Sequence, residues 1–160
     1  MNQSRKKTLK NKFKWIPMHE RVDKLGLPLP PRSVDSRMPR LWVTSLPRVM
    51  KTLKTHDDWV QDVYLVNSSG KTLESVIATT GGCQSLGLDN DEVVAGSDAT
   101  IEYSNVANGD AVRIFQHEEF YDSDWLLGIS LEVKMNGKWI KLETSYTKGT
   151  KGFPEEALLY

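Results

Sequence analysis

Trp125-Leu126-Leu127-Gly128-Ile129-Ser130-Leu131-Glu132-Val133-Lys134-Met135, then Asn136-Gly137, then Lys138-Trp139-Ile140-Lys141-Leu142-Glu143-Thr144-Ser145-Tyr146: this stretch decides the fold. Trp125, Leu127, Ile129, Leu131, Val133 and Met135 fall on every second position, the period of a half-buried strand. Asn-Gly tolerates the two positive-φ positions of a type I′ turn better than other dipeptides, and the alternation resumes after it. A two-residue turn pairs Met135 with Lys138, which sets Val133 against Ile140 and Leu131 against Leu142 on the apolar side. The same register sets Glu132 against Lys141 on the polar side, a pairing of favourable sign. Two independent patterns therefore agree on one alignment.

Working back along the chain, the same period recurs. Trp59 to Asn67 and Thr72 to Thr80 flank Ser68-Ser69-Gly70-Lys71, and a hairpin there predicts Val66 opposite Leu73 and Val63 opposite Val76. Glu92 to Ala95 predicts a short strand after a breaker-rich loop from Gly81 to Asp91. Ala99, Ile101 and Tyr103 alternate toward Asn108-Gly109, which predicts a further hairpin with Tyr103 facing Ile114. Six or seven strands with no helix-length insert between them predict an all-β, antiparallel β-sandwich. Leu158-Leu159-Tyr160 is expected to pack back on a sheet.

Val66-Asn67-Ser68-Ser69-Gly70-Lys71-Thr72-Leu73 with Val76, followed by Ala95-Gly96-Ser97-Asp98-Ala99-Thr100-Ile101, resembles the hairpin and Gly-led strand of immunoglobulin-like and fibronectin-like sandwich modules. The Cys…Trp…Cys core of true immunoglobulin domains is absent, so the resemblance implies an architecture and transfers no functional residue.

Ahead of the body lies a segment of different character. With 160 residues, 39% of them hydrophobic, the chain is sized for one domain with a real core. Its zero net charge conceals a division: residues 1–56 hold fourteen Lys and Arg against Glu20, Asp23 and Asp35, a charge of +11, and the rest carries −11. Residues 1–40 read as a basic, proline-rich arm and linker, and residues 41–160 as the sandwich. Leu9, Phe13 and Ile16 lie at helical spacing, which predicts a short basic helix ending before Pro17. Lys6 and Lys7 are placed to meet phosphates or another anionic surface, with Phe13 and Trp15 available for stacking. The alternatives are a solvated tail or an arm docked on its own acidic body. Pro28 to Pro31 has the spacing of a polyproline ligand and is read as linker. Leu41-Trp42-Val43 predicts a short strand or apolar peg. Ser45 reads as an N-cap for a helix over 46–55, whose Arg48, Lys51 and Lys54 form a basic stripe.

Chemistry has few footholds. Cys83 is the only cysteine, which excludes an internal disulfide framework and points to a reducing, cytoplasmic setting. No apolar run approaches the length of a membrane span and none follows the basic start as a signal sequence requires, so no membrane role is expected. Cys83 and His117 are the parts available for a nucleophilic site, with nothing in their spacing to join them. Asp122, Asp124, Glu118 and Glu119, with Asp89, Asp91 and Glu92, are weak calcium candidates that lack an EF-hand's Gly and distant Glu. Zinc-ligand spacings, phosphate-cradling glycine loops and nucleophile elbows do not occur, and no cofactor is implied. Trp139, flanked by Lys134 and Lys138, stands on the polar side of its hairpin, either as a contact residue or under a cover of tail or linker.

These observations predict a non-enzymatic binding module with a sheet face or end loops as its recognition surface, the arm mediating contact with an acidic protein partner or a second copy of the body, since +11 and −11 are complementary between chains as within one. Nucleic-acid binding through the arm is the alternative, and an enzyme built on Cys83 and His117 comes last.

Overall fold

A computed structural model describes residues 6–17, 20, 25–26, 39–46, 60–85, 93–95, 99–118, 126–148 and 155–158, with backbone alone at 82–85, 93–95, 118 and 147–148. Within them the chain forms β1 (Thr8–Lys10), β2 (Leu41–Leu46), β3 (Val60–Asn67), β4 (Leu73–Ser85), β5 (Val93–Ala95), β6 (Ala99–Val106), β7 (Asp110–Glu118), β8 (Leu126–Met135), β9 (Lys138–Glu143), β10 (Thr147–Lys148) and β11 (Glu156–Leu158). The first sheet runs β1-β7-β3-β2-β11. In the second, β4 and β8 are central; β6 and β5 share the free edge of β4, and β9 and β10 that of β8. All pairings are antiparallel. Eleven strands replace the expected six or seven because several are two- or three-residue edge segments too short to carry a period.

The hairpin β8–β9 has the register expected of it: Leu131 pairs with Leu142, Val133 with Ile140, Glu132 with Lys141 and Lys134 with Trp139. Asn136 and Gly137 both take positive φ, as a type I′ turn requires. Leu131 and Leu142 are buried on one side, in a core that also takes Leu41, Val43, Val63 and Leu65 from the first sheet and Val76 and Ala78 from β4. The two sheets thus pack face to face in a sandwich-like arrangement. Each fully buried Leu or Val there contributes about 1.5–3 kcal/mol relative to exposure.

The other two expected hairpins are not hairpins. β3 pairs with β2 and β7, whereas β4 pairs with β5, β6 and β8, so Ser68–Lys71 carries the chain from one sheet to the other. Asn108-Gly109 likewise links β6 in the second sheet to β7 in the first. Val63 and Val76, and Tyr103 and Ile114, share one core between the sheets instead of facing each other along a ladder. Asn67 explains the first crossing. Fully buried, it donates through Nδ2 to the carbonyls of Lys71 (2.7 Å) and Val106 (3.0 Å), and its Oδ1 accepts from the Ser69 amide (3.1 Å) and hydroxyl (2.7 Å). A side chain that meets the backbone's needs at a corner releases the strands from pairing with each other. The second crossing leans on the first: the Gly70 amide donates to Asn108 Oδ1 (2.9 Å) and the Gly109 amide to the Asn67 carbonyl (2.7 Å).

Three further expectations change. Ser45 and Leu46 belong to β2, paired with Val63 and Asp62, so Ser45 is no helix cap; its hydroxyl accepts from Gln61 Nε2 at 2.8 Å inside the sandwich. The rest of the expected 46–55 helix, with Arg48, Lys51 and Lys54, lies outside the described residues. β4 continues through the glycines to Ser85 because Gly81, Gly82 and Cys83 find ladder partners in Gly128, Leu127 and Leu126. Leu9 sits in β1, pairing with Ala111 of β7, and the chain beyond it alternates Phe13, Trp15 and Pro17 partly buried with Lys12, Lys14 and Ile16 exposed. The arm is therefore extended where a helix was predicted, because the sheet offers hydrogen bonds and an apolar floor that an isolated short helix lacks. Leu158 packs back as expected, buried in β11 beside β2.

Candidate binding face

The outward side of the first sheet is closed. Trp42, Tyr64, Val66 and Ala111 form a second apolar cluster there, and Leu9, Phe13 and Trp15 of the arm pack on it. Phe13 stands 5.5 Å from the Tyr64 ring and 6.3 Å edge-on to Trp42, and Trp15 lies edge-on to Trp42 at 5.2 Å. The two aromatics read as stacking candidates thus point into the molecule, while Lys6, Lys7, Lys10, Lys12 and Lys14 are all exposed on the strap. Lys6 Nζ lies 5.8 Å from the Tyr103 ring. The Tyr103 hydroxyl accepts from the Lys7 amide (3.0 Å) and donates to the Arg113 carbonyl (2.6 Å), which ties β6 to the arm and β7. Burial raises the pKa of Tyr103. Tyr64 is pushed up to about 12, chiefly by burial and then by the neighbouring Asp62 carboxylate.

The outward side of the second sheet carries no such cover among the described residues. The registers set Gly81 beside Gly128, Thr79 beside Ser130, Ile77 beside Glu132 and Ser75 beside Lys134. On the far side of β8, Trp139 lies next to Lys134, Lys141 to Glu132 and Glu143 to Ser130. Trp139 is 53% exposed, with Lys134 Nζ 6.0 Å from its ring. Lys134 also pairs with Glu74 at 3.6 Å, and Lys141 with Glu132 at 3.9 Å. These exposed pairs organise the surface more than they stabilise it.

At the other end stands Tyr146, 70% exposed, a residue that sequence reasoning missed. The ladder runs Ser130–Glu143 before Thr144 and Leu127–Thr147 after it, a shift of one residue that sets Tyr146, in place of Ser145, against Gly128. Thr144 carries the shift: its amide donates to the Ile129 carbonyl (3.0 Å) and its hydroxyl accepts from the Ile129 amide (2.9 Å). The Tyr146 ring lies directly on Gly128, where a Cβ would come within 2.8 Å of the ring. A cleft of about 150 Å³ results, lined by Thr79, Gly81, Gly128, Ser130, Glu143 and Tyr146. The only advance signal was Gly128 itself, a residue without a side chain on the polar row of a strand.

A second cleft of about 210 Å³ opens between β6 and β7, lined by Thr80, Thr100, Ile101, Arg113, Phe115 and Gln116. Arg113 and Gln116 are tethered there to Asp62, at 3.4 and 3.2 Å. His117 is buried in the first sheet with its ring 6.3 Å from Phe115 and is not among the residues lining either cleft, while the backbone of Cys83 belongs to the second sheet. Among the described residues no three His, Cys, Asp or Glu gather to hold a metal ion. Of the calcium candidates, Asp89, Asp91, Glu92, Glu119, Asp122 and Asp124 lie outside those residues, and Glu118 is described by its backbone alone. No helix among them is long and apolar enough to cross a membrane.

The architecture is all-β, two antiparallel sheets; among the described residues one outer face is covered by the arm and nothing comparable packs on the other. Comparison with known protein families, with curated proteins and with solved structures finds no match to this chain.

Proposed function

We propose that this protein is a non-catalytic binding module of the cytoplasm whose recognition surface is the outer face of the second sheet between Trp139 and Tyr146. The observation that carries the reading is the pair of exposed aromatic rings on one sheet face, since rings left in water at the ends of a flat surface are the usual anchors of a contact. An immunoglobulin-like or fibronectin-like relationship belongs to this proposal as architecture only, supported by the two crossings between sheets. Arrays of immobilised glycans and peptides test it: Trp139→Ala with Tyr146→Ala is expected to lose at least tenfold in affinity, and replacing the five strap lysines by Gln to change nothing. Binding indifferent to both rings sinks the reading.

A second reading has its own support. Five exposed lysines within nine residues, with Phe13 and Trp15 engaged beneath them, suit phosphates contacted without base stacking. Affinity for nonspecific single-stranded DNA that falls steeply with salt, and vanishes in the Gln-substituted strap, supports it. Sedimentation at rising concentration tests whether the strap docks instead on a second copy.

A further inference from the structure

We infer that the face between Trp139 and Tyr146 takes an uncharged carbohydrate chain, its sugar rings stacked on the two aromatics and its hydroxyls bonded to the polar rows between them. The inference rests on that face being the recognition surface and adds the chemistry of its occupant.

Charge decides first. Glu74, Glu102, Glu132 and Glu143 stand on this face with Lys134 and Lys141, so charges of both signs are interleaved and the carboxylates are in excess by two, four against two. A polyanion such as nucleic acid is disfavoured by that excess. What interleaved carboxylates, ammoniums and hydroxyls offer is a dense set of hydrogen-bond donors and acceptors, the requirement of a ligand that is polar everywhere and charged nowhere.

Relief decides second. A peptide that adds to a sheet uses a free edge, where backbone groups are unpaired, or seats side chains in pockets. Here β8 and β4 are interior strands, paired on both sides, the edge of β9 left unpaired among the described residues lies at the rim of the face, and the cleft beside Gly128 is small, about 150 Å³. A pyranose ring needs neither edge nor pocket. It presents a flat patch of C–H groups that an aromatic face accepts, with hydroxyls around the rim. The Tyr146 ring covers Gly128 and, with Gly81 beside it, makes an apolar platform, and Glu143, Ser130 and Thr79 line the cleft with oxygen donors and acceptors.

Length decides third. Trp139 is level with Lys134 and Tyr146 with Gly128, six residues apart on β8, so the anchors stand roughly 20 Å apart. That span accommodates several sugar units, and a polymer engages both ends where a monosaccharide reaches one.

The experiment is native gel electrophoresis of the full chain through neutral polysaccharides: glycogen, pullulan, xylan, laminarin and hydroxyethylcellulose. The expected result is retardation by at least one of them, unaffected by salt, weakened at least tenfold by Trp139→Ala and by Tyr146→Ala and less by Glu143→Gln. Both rings are exposed, so the variants retain the wild-type melting temperature. Panning a random peptide library on wild type, with counter-selection on the double variant, runs alongside. Peptides selected in the absence of any retardation overturn the carbohydrate assignment and leave the face as a recognition surface. No retardation and no selected peptide overturn both, and retardation that survives loss of the rings overturns the placement.

Discussion

The two sheets are built from similar strands and differ in what lies on their backs. β2 and β3 of the first sheet are buried almost throughout, Leu41 to Ser45 and Val63 to Asn67 without a break, because the second sheet covers one side and the basic strap the other. β8 from Ile129 to Met135 and β9 alternate between buried and more exposed positions, because among the described residues only the core side is packed over there. The contrast teaches where to look for function: a sheet sealed on both sides by its own chain has spent its apolar surface on stability, and one with aromatics facing water has surface left over.

Mutations can break this contrast, beginning with the largest effect. Trp42→Ala removes the indole around which the strap packs, together with its hydrogen bond to Ser68 Oγ, and is expected to cost about 3–5 kcal/mol in urea melts. The loss of a single large hydrophobe from the opposite face, Trp139→Ala, then supplies the comparison below. Asn67→Ala leaves the Lys71 and Val106 carbonyls without their side-chain donor and is expected to cost about 1–3 kcal/mol, with both crossings gaining hydrogen-exchange rate together. Phe13→Ala acts on a partly buried ring at the strap and should cost about 2 kcal/mol, with dye binding to the uncovered Tyr64–Trp42 surface as its signature.

Alkaline titration sharpens the same point. Tyr64 holds its proton up to about 12 in the folded protein and ionises near 10 when unfolded. The native state therefore binds more protons in that window, and stability falls as pH rises from 10 through 12. Tyr64→Phe should flatten the fall, leaving the smaller share due to Tyr103, when denaturation midpoints are followed against pH. Smallest of all, Trp139→Ala should stay within about 0.5 kcal/mol of wild type, the stability signature of a side chain kept for contact.

How much of this was legible follows from how local each signal is. The β8–β9 register was readable because turn, apolar pairs and Glu132–Lys141 all lie within a few residues of one another. The strand segments around Ser69-Gly70 and Asn108-Gly109 were equally readable, but not their pairing: a Gly turn reverses the chain whether it joins neighbours in one sheet or passes between two. What separates the cases is Asn67, whose side chain bonds to a carbonyl thirty-nine residues away. The run Val63-Tyr64-Leu65-Val66 is apolar at every position, the pattern of a strand covered twice, which the half-buried period expected for Trp59 to Asn67 passed over, and nothing local named the strap as its cover. Tyr146 eluded the pattern because a one-residue shift at Thr144 moved it into register.

The paired corners at Asn67 and Asn108 have a kinetic consequence. Since each delivers consecutive strands to opposite layers, neither layer is complete until the other arrives, and no half of the sequence constitutes an independent nucleus. Refolding should accordingly be slow, on the millisecond-to-second scale of topologies dominated by distant partners, and unfolding should proceed as a single concerted event.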